Sequence, residues 1–339
     1  MPLDGVSISQ LPLPEGWTLS ECVDDTVDAD GLSIRRMGLC ATSEHAQAIG
    51  SAADVLEDPA PRARFELLER IAIAEAQRPS SERRFRVRSS TGDDLGTARL
   101  EDVFPPSDAP DRWAFSRSNG VSLNVGWSQA CAGAERELVE RDRVMRAWLG
   151  ETVPVRMGDR AGPLISGARS YEWRTYVFPP PEAPAIGGNL EVVGVFGFPL
   201  VEGRSLVSGY GARADRAEAE LAAQKEALQL LAFLWGEPLP DRAPDPLPVP
   251  MTHLETYQMR DRHPVLRHWL DEGHVTHHRP SRADTGADRS LRFADLTPPW
   301  LEGHLHVARA LCPAATPLIF GLSPLLAHLP PELRIHPIA

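Results

Sequence analysis

Residues 118–144 read SNGVSLNVGWSQACAGAERELVERDRV. Small and apolar residues recur with a helical period from about 129 to 149. At 100° per residue Ala130, Gly133, Glu137, Glu140, Val144 and Trp148 fall on one stripe, while Arg136, Arg143 and Arg146 point elsewhere. Two carboxylates thus occupy the face a helix normally buries. A solvated Glu-x-x-Glu-Arg face, with Glu137 and Arg141 as an i, i+4 ion pair worth about 0.3–0.5 kcal/mol, accounts for one such motif taken alone. It does not account for burial, because an uncompensated ion taken out of water costs on the order of several kcal/mol. A hard divalent cation offsets that cost, and carboxylate oxygens without Cys or His suit Mg2+, which usually keeps phosphate oxygens as further ligands.

The pattern recurs on both sides of this stretch. A helix is expected at about 60–77, where Ala63, Glu66, Glu69 and Ile73 share a sector beside the main apolar face of Leu67, Ile71 and Ala74. Another is expected at about 216–235, with Ala219, Ala222, Glu226, Gln229 and Phe233 on one stripe. Two glutamate pairs on separate helices suggest a carboxylate-lined nucleotide site.

Composition narrows the remaining choices. With 35 Lys+Arg against 47 Asp+Glu the 339-residue chain carries a net charge of −12, which argues against wrapping nucleic acid or an anionic membrane. Lys225, in QKEA, is the only lysine, so no Walker A loop exists and a Schiff base has one candidate. Cys22, Cys40, Cys131 and Cys312 lie too far apart for CxxC or zinc-knuckle spacing, and a reducing compartment is expected. The N-terminus lacks a signal-peptide pattern and no long apolar run occurs, so the expectation is a cytoplasmic chain.

Proline-rich loops or linkers stand at 104–111, 178–188 and 236–250. Strand-like runs LEVVGVFGFPLV and HLHVARAL alternate with the helices, giving a mixed α/β or α+β class. The arginine-rich SERRFRVRSS reads as a strand with solvated alternate positions, with a precursor carboxylate held by its arginines as the alternative. Residues 252–292 read as one helix followed by a polar loop. His274, His277 and His278 have metal-ligand spacing, but a solvated loop explains them; His304 and His306 alternate on the predicted strand.

Taken together, these segments resemble the YcaO family, proteins that use ATP to activate backbone amides in peptide natural products. SNGVSLNVGWSQACAGAERELVERDRV is similar to the family's Ser-Asn-Gly segment and its Glu-x-x-Glu-Arg-Asp helix. ARFELLERI resembles an earlier family helix, GARADRAEAELAAQKEALQ a later element, and FADLTPPWLEGHLHVARALCPAATPLIFG the C-terminal strand and turn of the azoline-forming branch. The likeness runs from about residue 45 to the end. It implies an α+β YcaO-type fold of mixed sheets, with helices enclosing an ATP site, in one large domain (45–339) after an N-terminal segment (1–44).

The resemblance further implies that Glu66, Glu69, Glu137 and Glu140 hold Mg2+, that Ser118, Asn119, Asn124 and Arg70 lie at the nucleotide, and that Glu226, Gln229, Arg141, His336 and Pro337 serve catalysis. Departures stand at Val125, at Ala222, where the family usually has arginine, and at the His336-Pro337-Ile338-Ala339 tail, where azoline-forming members commonly have another proline. The implied reaction is cyclodehydration of Cys, Ser or Thr in a ribosomally made precursor peptide, with thioamide or amidine formation, or a scaffold subunit without turnover, as alternatives. The implied partners are the precursor peptide, a leader-peptide-binding protein, a dehydrogenase, and a second copy of the chain as a homodimer; nucleic acid and membrane are not among them. About 45 N-terminal residues are too few for a leader-binding domain of ordinary size, so a separate protein is expected to deliver the peptide, with DDTVDAD and the Pro-rich segment 236–250 as candidate docking surfaces, although solvated loops explain each.

Overall fold

A computed structural model of the chain describes residues 13–78, 83–158, 162–182, 184, 186–273 and 288–338. The first elements are β1 (Thr18–Ala29), β2 (Leu32–Thr42), β3 (Gln47–Asp54), α1 (Ala60–Ala76), β4 (Arg84–Arg88), β5 (Asp94–Arg99) and α2 (Leu100–Val103). There follow β6 (Trp113–Phe115), β7 (Val121–Asn124), α3 (Trp127–Trp148), β8 (Val155–Gly158), β9 (Tyr171–Val177), β10 (Glu191–Pro199), β11 (Val207–Arg213) and α4 (Arg216–Leu234). The chain continues through α5 (Pro250–Gln258), α6 (His263–Glu272), β12 (Arg292–Asp295), β13 (His306–Leu311) and β14 (Ile319–Gly321). Every strand pair is antiparallel, which makes the class α+β.

The chain divides into two compact units. One comprises Met1–Phe104, Arg117–Glu137 and Leu291–Leu311, the other Pro105–Ser116, Leu138–Ser290 and Cys312–Ala339. The first unit holds a three-stranded sheet, β1-β2-β3, and a five-stranded sheet, β5-β4-β12-β13-β7. Helix α1 lies between them because it is apolar on two faces. Leu67 and Ile71 pack with Trp17, Ala41 and Ala48, whereas Leu68, Ala72 and Ile73 pack with Phe85, Leu123 and Val307. Fully burying each leucine or isoleucine contributes about 1.5–3 kcal/mol. The polar residues of α1 are left to the seams between these two faces.

The second unit contains the sheet β11-β10-β9-β8 and the ribbon β14-β6. Its core includes Trp148 edge-on to both Trp269 and Tyr257, with Phe178 beside Trp269 and Tyr210 beside Phe196.

One packing device occurs in both units. A Cβ on Gly50 of β3 would stand 2.2 Å from the Ala63 carbonyl oxygen and 2.3 Å from the Leu67 nitrogen, so only glycine lets α1 come this close. A Cβ on Gly209 of β11 would likewise meet the Ala223 oxygen and Ala227 nitrogen of α4 at 2.3 Å. In each case the next strand residue, Ser51 or Tyr210, donates its N–H to a glutamate on the helix, Glu66 or Glu226.

Three sequence expectations change. The 252–292 stretch forms two helices before the described residues pause, since Pro264 has no N–H for a helix interior but is tolerated where α6 begins. DDTVDAD belongs to β1 and its turn, held by Asp24–Arg35 and Asp25–Arg36 across the hairpin, and is not a loop. His304 precedes β13, which starts at His306 opposite Asn124. The Phe85/Val87 alternation in β4 is as expected, while His274, His277 and His278 lie outside the described residues.

Candidate functional site

In the first unit α1 presents Glu66, Glu69 and Arg70. Glu66 Oε2 accepts the Ser51 N–H at 2.9 Å and its Oε1 lies 3.3 Å from Arg70 Nη2; Glu69 Oε2 accepts the Leu123 N–H at 2.9 Å. Ser51 and Leu123 sit on β3 and β7, the edge strands nearest the helix, whose outward N–H groups have no strand partner. Burial pushes the Glu69 carboxyl up to about 7, against the pull of Arg70 and of the Leu123 N–H, and neighbouring Glu66 adds to the rise. Desolvation lowers the Arg70 guanidinium, but Glu69, Glu66 and Glu137 outweigh it and raise it overall. Arg70 is therefore within electrostatic reach of three glutamates, of which Glu66 pairs with it directly.

The turn from Ser118 to Val121, closed by Val121 N–H to Ser118 O at 3.1 Å, leads into β7. Gly120 takes φ 69°, the left-handed region such a turn requires. Asn119 is buried, and its Oδ1 has no hydrogen-bond partner. Asn124 ends β7, its Oδ1 accepting the Val125 N–H at 2.9 Å.

The second unit contributes Glu140, Arg141, Glu226 and Gln229. Arg141 lies 3.5 Å from both Glu140 Oε1 and Glu226 Oε1, and 5.8 Å from the Tyr210 ring centroid. Glu226 also accepts the Tyr210 N–H, and its side chain keeps 41% exposure. Glu226 and Gln229 stand beside the buried face of α4, which is made by Ala219, Ala223, Ala227, Leu228 and Leu231. Asp142 serves packing: its Oδ1 accepts from Arg146 Nε at 2.9 Å and from the Thr316 N–H at 2.6 Å, and Arg146 also reaches Glu151 at 2.5 Å. Arg143 and Arg146, off the Glu137–Glu140 stripe, are nonetheless buried together with nearly all of α3 after Leu138, so the stripe does not distinguish inside from outside there.

His336 and Pro337 are buried. His336 Nε2 donates to the Ile319 carbonyl at 2.5 Å and its Nδ1 accepts the Ile338 N–H at 3.3 Å. His253 accepts the Gly321 N–H at Nε2, so its Nδ1 carries the proton and donates to the His336 carbonyl at 3.0 Å. Burial lowers both imidazoles, His253 to about 4. The tail is thus held by neutral histidines, and both His336 ring nitrogens are engaged.

Sequence reading missed Arg309, a lone cation in the apolar run VARAL of β13 with 7% exposure. The signal was the one used for the glutamates, a charge among apolar neighbours, applied to helices and not to strands.

The oxygen-only donor set of Glu66, Glu69, Glu137 and Glu140 fits Mg2+ in kind, and burial, more than the neighbouring Glu66, holds the Glu69 carboxyl up to about 7, a cost a cation there would offset. Among the described residues, however, no three Asp, Glu, His or Cys gather closely enough to hold a metal ion, and Arg70 lies within electrostatic reach of three of these glutamates.

The fold is antiparallel α+β, with glutamates beside arginines on α1 in the first unit and on α3 and α4 in the second. The family model described as YcaO cyclodehydratase, ATP- and Mg2+-binding, matches residues 97–316, and the chain belongs to the YcaO family. That span contains Ser118 through Gln229 and Arg309; Glu66, Glu69, Arg70, His336 and Pro337 fall outside it. The chain is similar in fold to the YcaO protein of Methanopyrus kandleri bound with AMPPCP and Mg2+ (18% identity, TM-score 0.60, 88% of this chain and 86% of that one). It is also similar to a chain of the E. coli microcin synthetase McbBCD complex with pro-MccB17 bound (12% identity, TM-score 0.58, 98% and 99%). A third likeness is to a heterocyclase in complex with substrate and cofactor (15% identity, TM-score 0.54, 88% and 50%). No curated protein matches the chain. No helix among the described residues is long and apolar enough to cross a membrane.

Proposed function

We propose that the chain is an ATP-dependent cyclodehydratase component that converts Cys, Ser or Thr of a ribosomally made precursor peptide to thiazoline or oxazoline. The observation that carries this reading is the Glu66–Glu69–Arg70–Glu137 cluster, an excess of carboxylate oxygen in a chain of an ATP- and Mg2+-binding family. Glu140 continues the set one turn further along α3. Bound Mg-ATP supplies the phosphoryl group that turns the amide oxygen into a leaving group.

The chain's own residues have separate tasks. Glu66, Glu69 and Glu137, with Glu140, offer oxygen ligands to the cation, while Arg70 stays charged among them. Ser118, Asn119 and Asn124 border the nucleotide. Glu226 is fixed through one oxygen by the Tyr210 N–H and faces Arg141 with the other, so it can accept a proton from the substrate nucleophile without losing its place. Arg141 and Gln229 orient the amide oxygen. The buried His336-Pro337 stretch holds backbone in position and transfers no proton.

A partner delivers the peptide by its leader, and a dehydrogenase would oxidise the product; the E. coli relative is itself part of a complex. The reading as a scaffold subunit without turnover is favoured by one observation, the lack of a gathered metal-binding set among the described residues. Reconstitution separates the readings. Precursor peptide, Mg-ATP and this chain are combined with and without the leader-binding protein, and the peptide is weighed. Loss of one water per modified residue, dependent on the partner and abolished by Glu137→Gln, is the expected result. An unchanged mass with ATP still bound supports the scaffold, and exchange of oxygen for sulfur supports thioamide formation.

A further inference from the structure

Arg309 is a buried cation with no ion-pair partner within 4 Å among the described residues. Its backbone pairs opposite Val121 in the β7–β13 ladder, which places it beside the Ser118–Val121 turn. One N–H, on Nη1, donates to the Arg117 carbonyl, and the guanidinium carbon stands 4.5 Å from the centroid of the Phe104 ring. A guanidinium has five N–H donors in a planar fork. The remaining four have no acceptor, and the group has no ion-pair partner within 4 Å, among the described residues. Desolvation lowers the group to about 10, with only the more distant charge of Glu137 acting against it.

An unused acceptor lies two residues beyond the Arg117 carbonyl that Arg309 bonds. Asn119 Oδ1, two residues from Val121, is buried without a partner. A donor fork bonded to the start of this turn and an unused acceptor within it are both available to a third group. A guanidinium held in an apolar strand with one hydrogen bond to the protein and no ion pair among the described residues has donors to spare for an anion.

We propose that Arg309 binds the phosphate chain of the nucleotide, with Asn119 Oδ1 accepting a hydrogen bond from a donor group of the same ligand. The proposal rests on the nucleotide reading above and adds to it the residue that recognises the anion. Charge balance favours a phosphate ligand. Arg70 is already matched by Glu66 and Glu69, whereas a lone anion arriving here would also face the carboxylate of Glu137. A polyphosphate arrives with Mg2+, which neutralises those carboxylates while the fork of Arg309 takes phosphate oxygens.

Calorimetry on the full chain in Mg2+ tests it, comparing ATP with adenosine for the parent, Arg309→Met and Arg309→Lys. Arg309→Met is expected to weaken ATP by about tenfold to hundredfold and adenosine by no more than about twofold. Arg309→Lys, which keeps the charge and loses the fork, is expected to fall between. Undiminished ATP affinity in Arg309→Met, or an equal loss for ATP and adenosine, overturns the proposal and leaves Arg309 a packing residue. Should Arg309→Met fail to fold, Arg309→Lys decides by the same comparison: a loss confined to ATP supports phosphate binding, and equal or no loss refutes it. A parent that binds no Mg-ATP refutes the nucleotide reading and this proposal together; a parent that binds it, with the variants unchanged, refutes only the role of Arg309.

Discussion

Glu69 shows how one side chain carries structure and chemistry at once. Its carboxylate caps an otherwise unpaired N–H on an edge strand, yet burial holds its pKa at about 7, above an ordinary 4.5. Between these values the folded state binds more protons than the unfolded state, so its contribution to stability falls as pH rises from about 4.5 to about 7. Glu69→Gln retains an acceptor for Leu123 and removes the charge. In the absence of Mg2+ and nucleotide it is expected to exceed the parent by about 2–3 kcal/mol near pH 8 and by less than about 1 kcal/mol near pH 5. Chemical denaturation at the two pH values checks this, and a variant less stable at both would make Glu69 a structural ion-pair member. The same variant is expected to lose Mg-ATP affinity. At this scale the sequence was informative about placement: the carboxylates in small-residue stripes fall on α1, α3 and α4, where the structure sets them beside Arg70 and Arg141. It did not separate Asp142 from its neighbours, because only the fold brings Thr316 to meet it.

At the scale of elements, the strand-to-helix contacts at Gly50 and Gly209 set how closely the glutamates approach the sheets. Helices were legible, with α1, α3 and α4 within two residues of their expected ends, because their periodicity is local. The glycines were not legible as contacts, since each takes its meaning from a helix that arrives later in the chain. Gly209→Ala is expected to cost about 1–3 kcal/mol or more, because the added methyl meets backbone that cannot turn aside. Gly158→Ala, with nothing within 4 Å of the new Cβ, should stay within about 0.5 kcal/mol. Urea unfolding distinguishes them, and equal costs would show that α4 yields.

Across the whole molecule, the His253–His336 pair joins α5 to residues 83 positions further along the chain. Burial holds His253 near 4, below an ordinary 6.5, so the unfolded state binds more protons between those values and stability is lost as pH falls through them. Relative to His253→Gln, the parent is expected to lose about 2 kcal/mol between about pH 7 and about pH 5. Denaturation at both pH values measures it, and parallel loss in the two proteins would place the acid sensitivity elsewhere.

The sequence by itself determined the helices, the acidic charge, the exclusion of P-loop and zinc-knuckle chemistry, and the family. These depend on residue identity and on spacings within one element. Tertiary structure alone decided that α1 is covered on two faces, that α3 is buried almost all round after Leu138, that His336 is enclosed, and that Arg309 bonds the start of the turn that holds Asn119. The reason is physical: burial and charge pairing are properties of neighbours in space. The first unit is assembled from three chain segments separated by as many as 153 positions, which a pattern confined to one helix or strand does not encode.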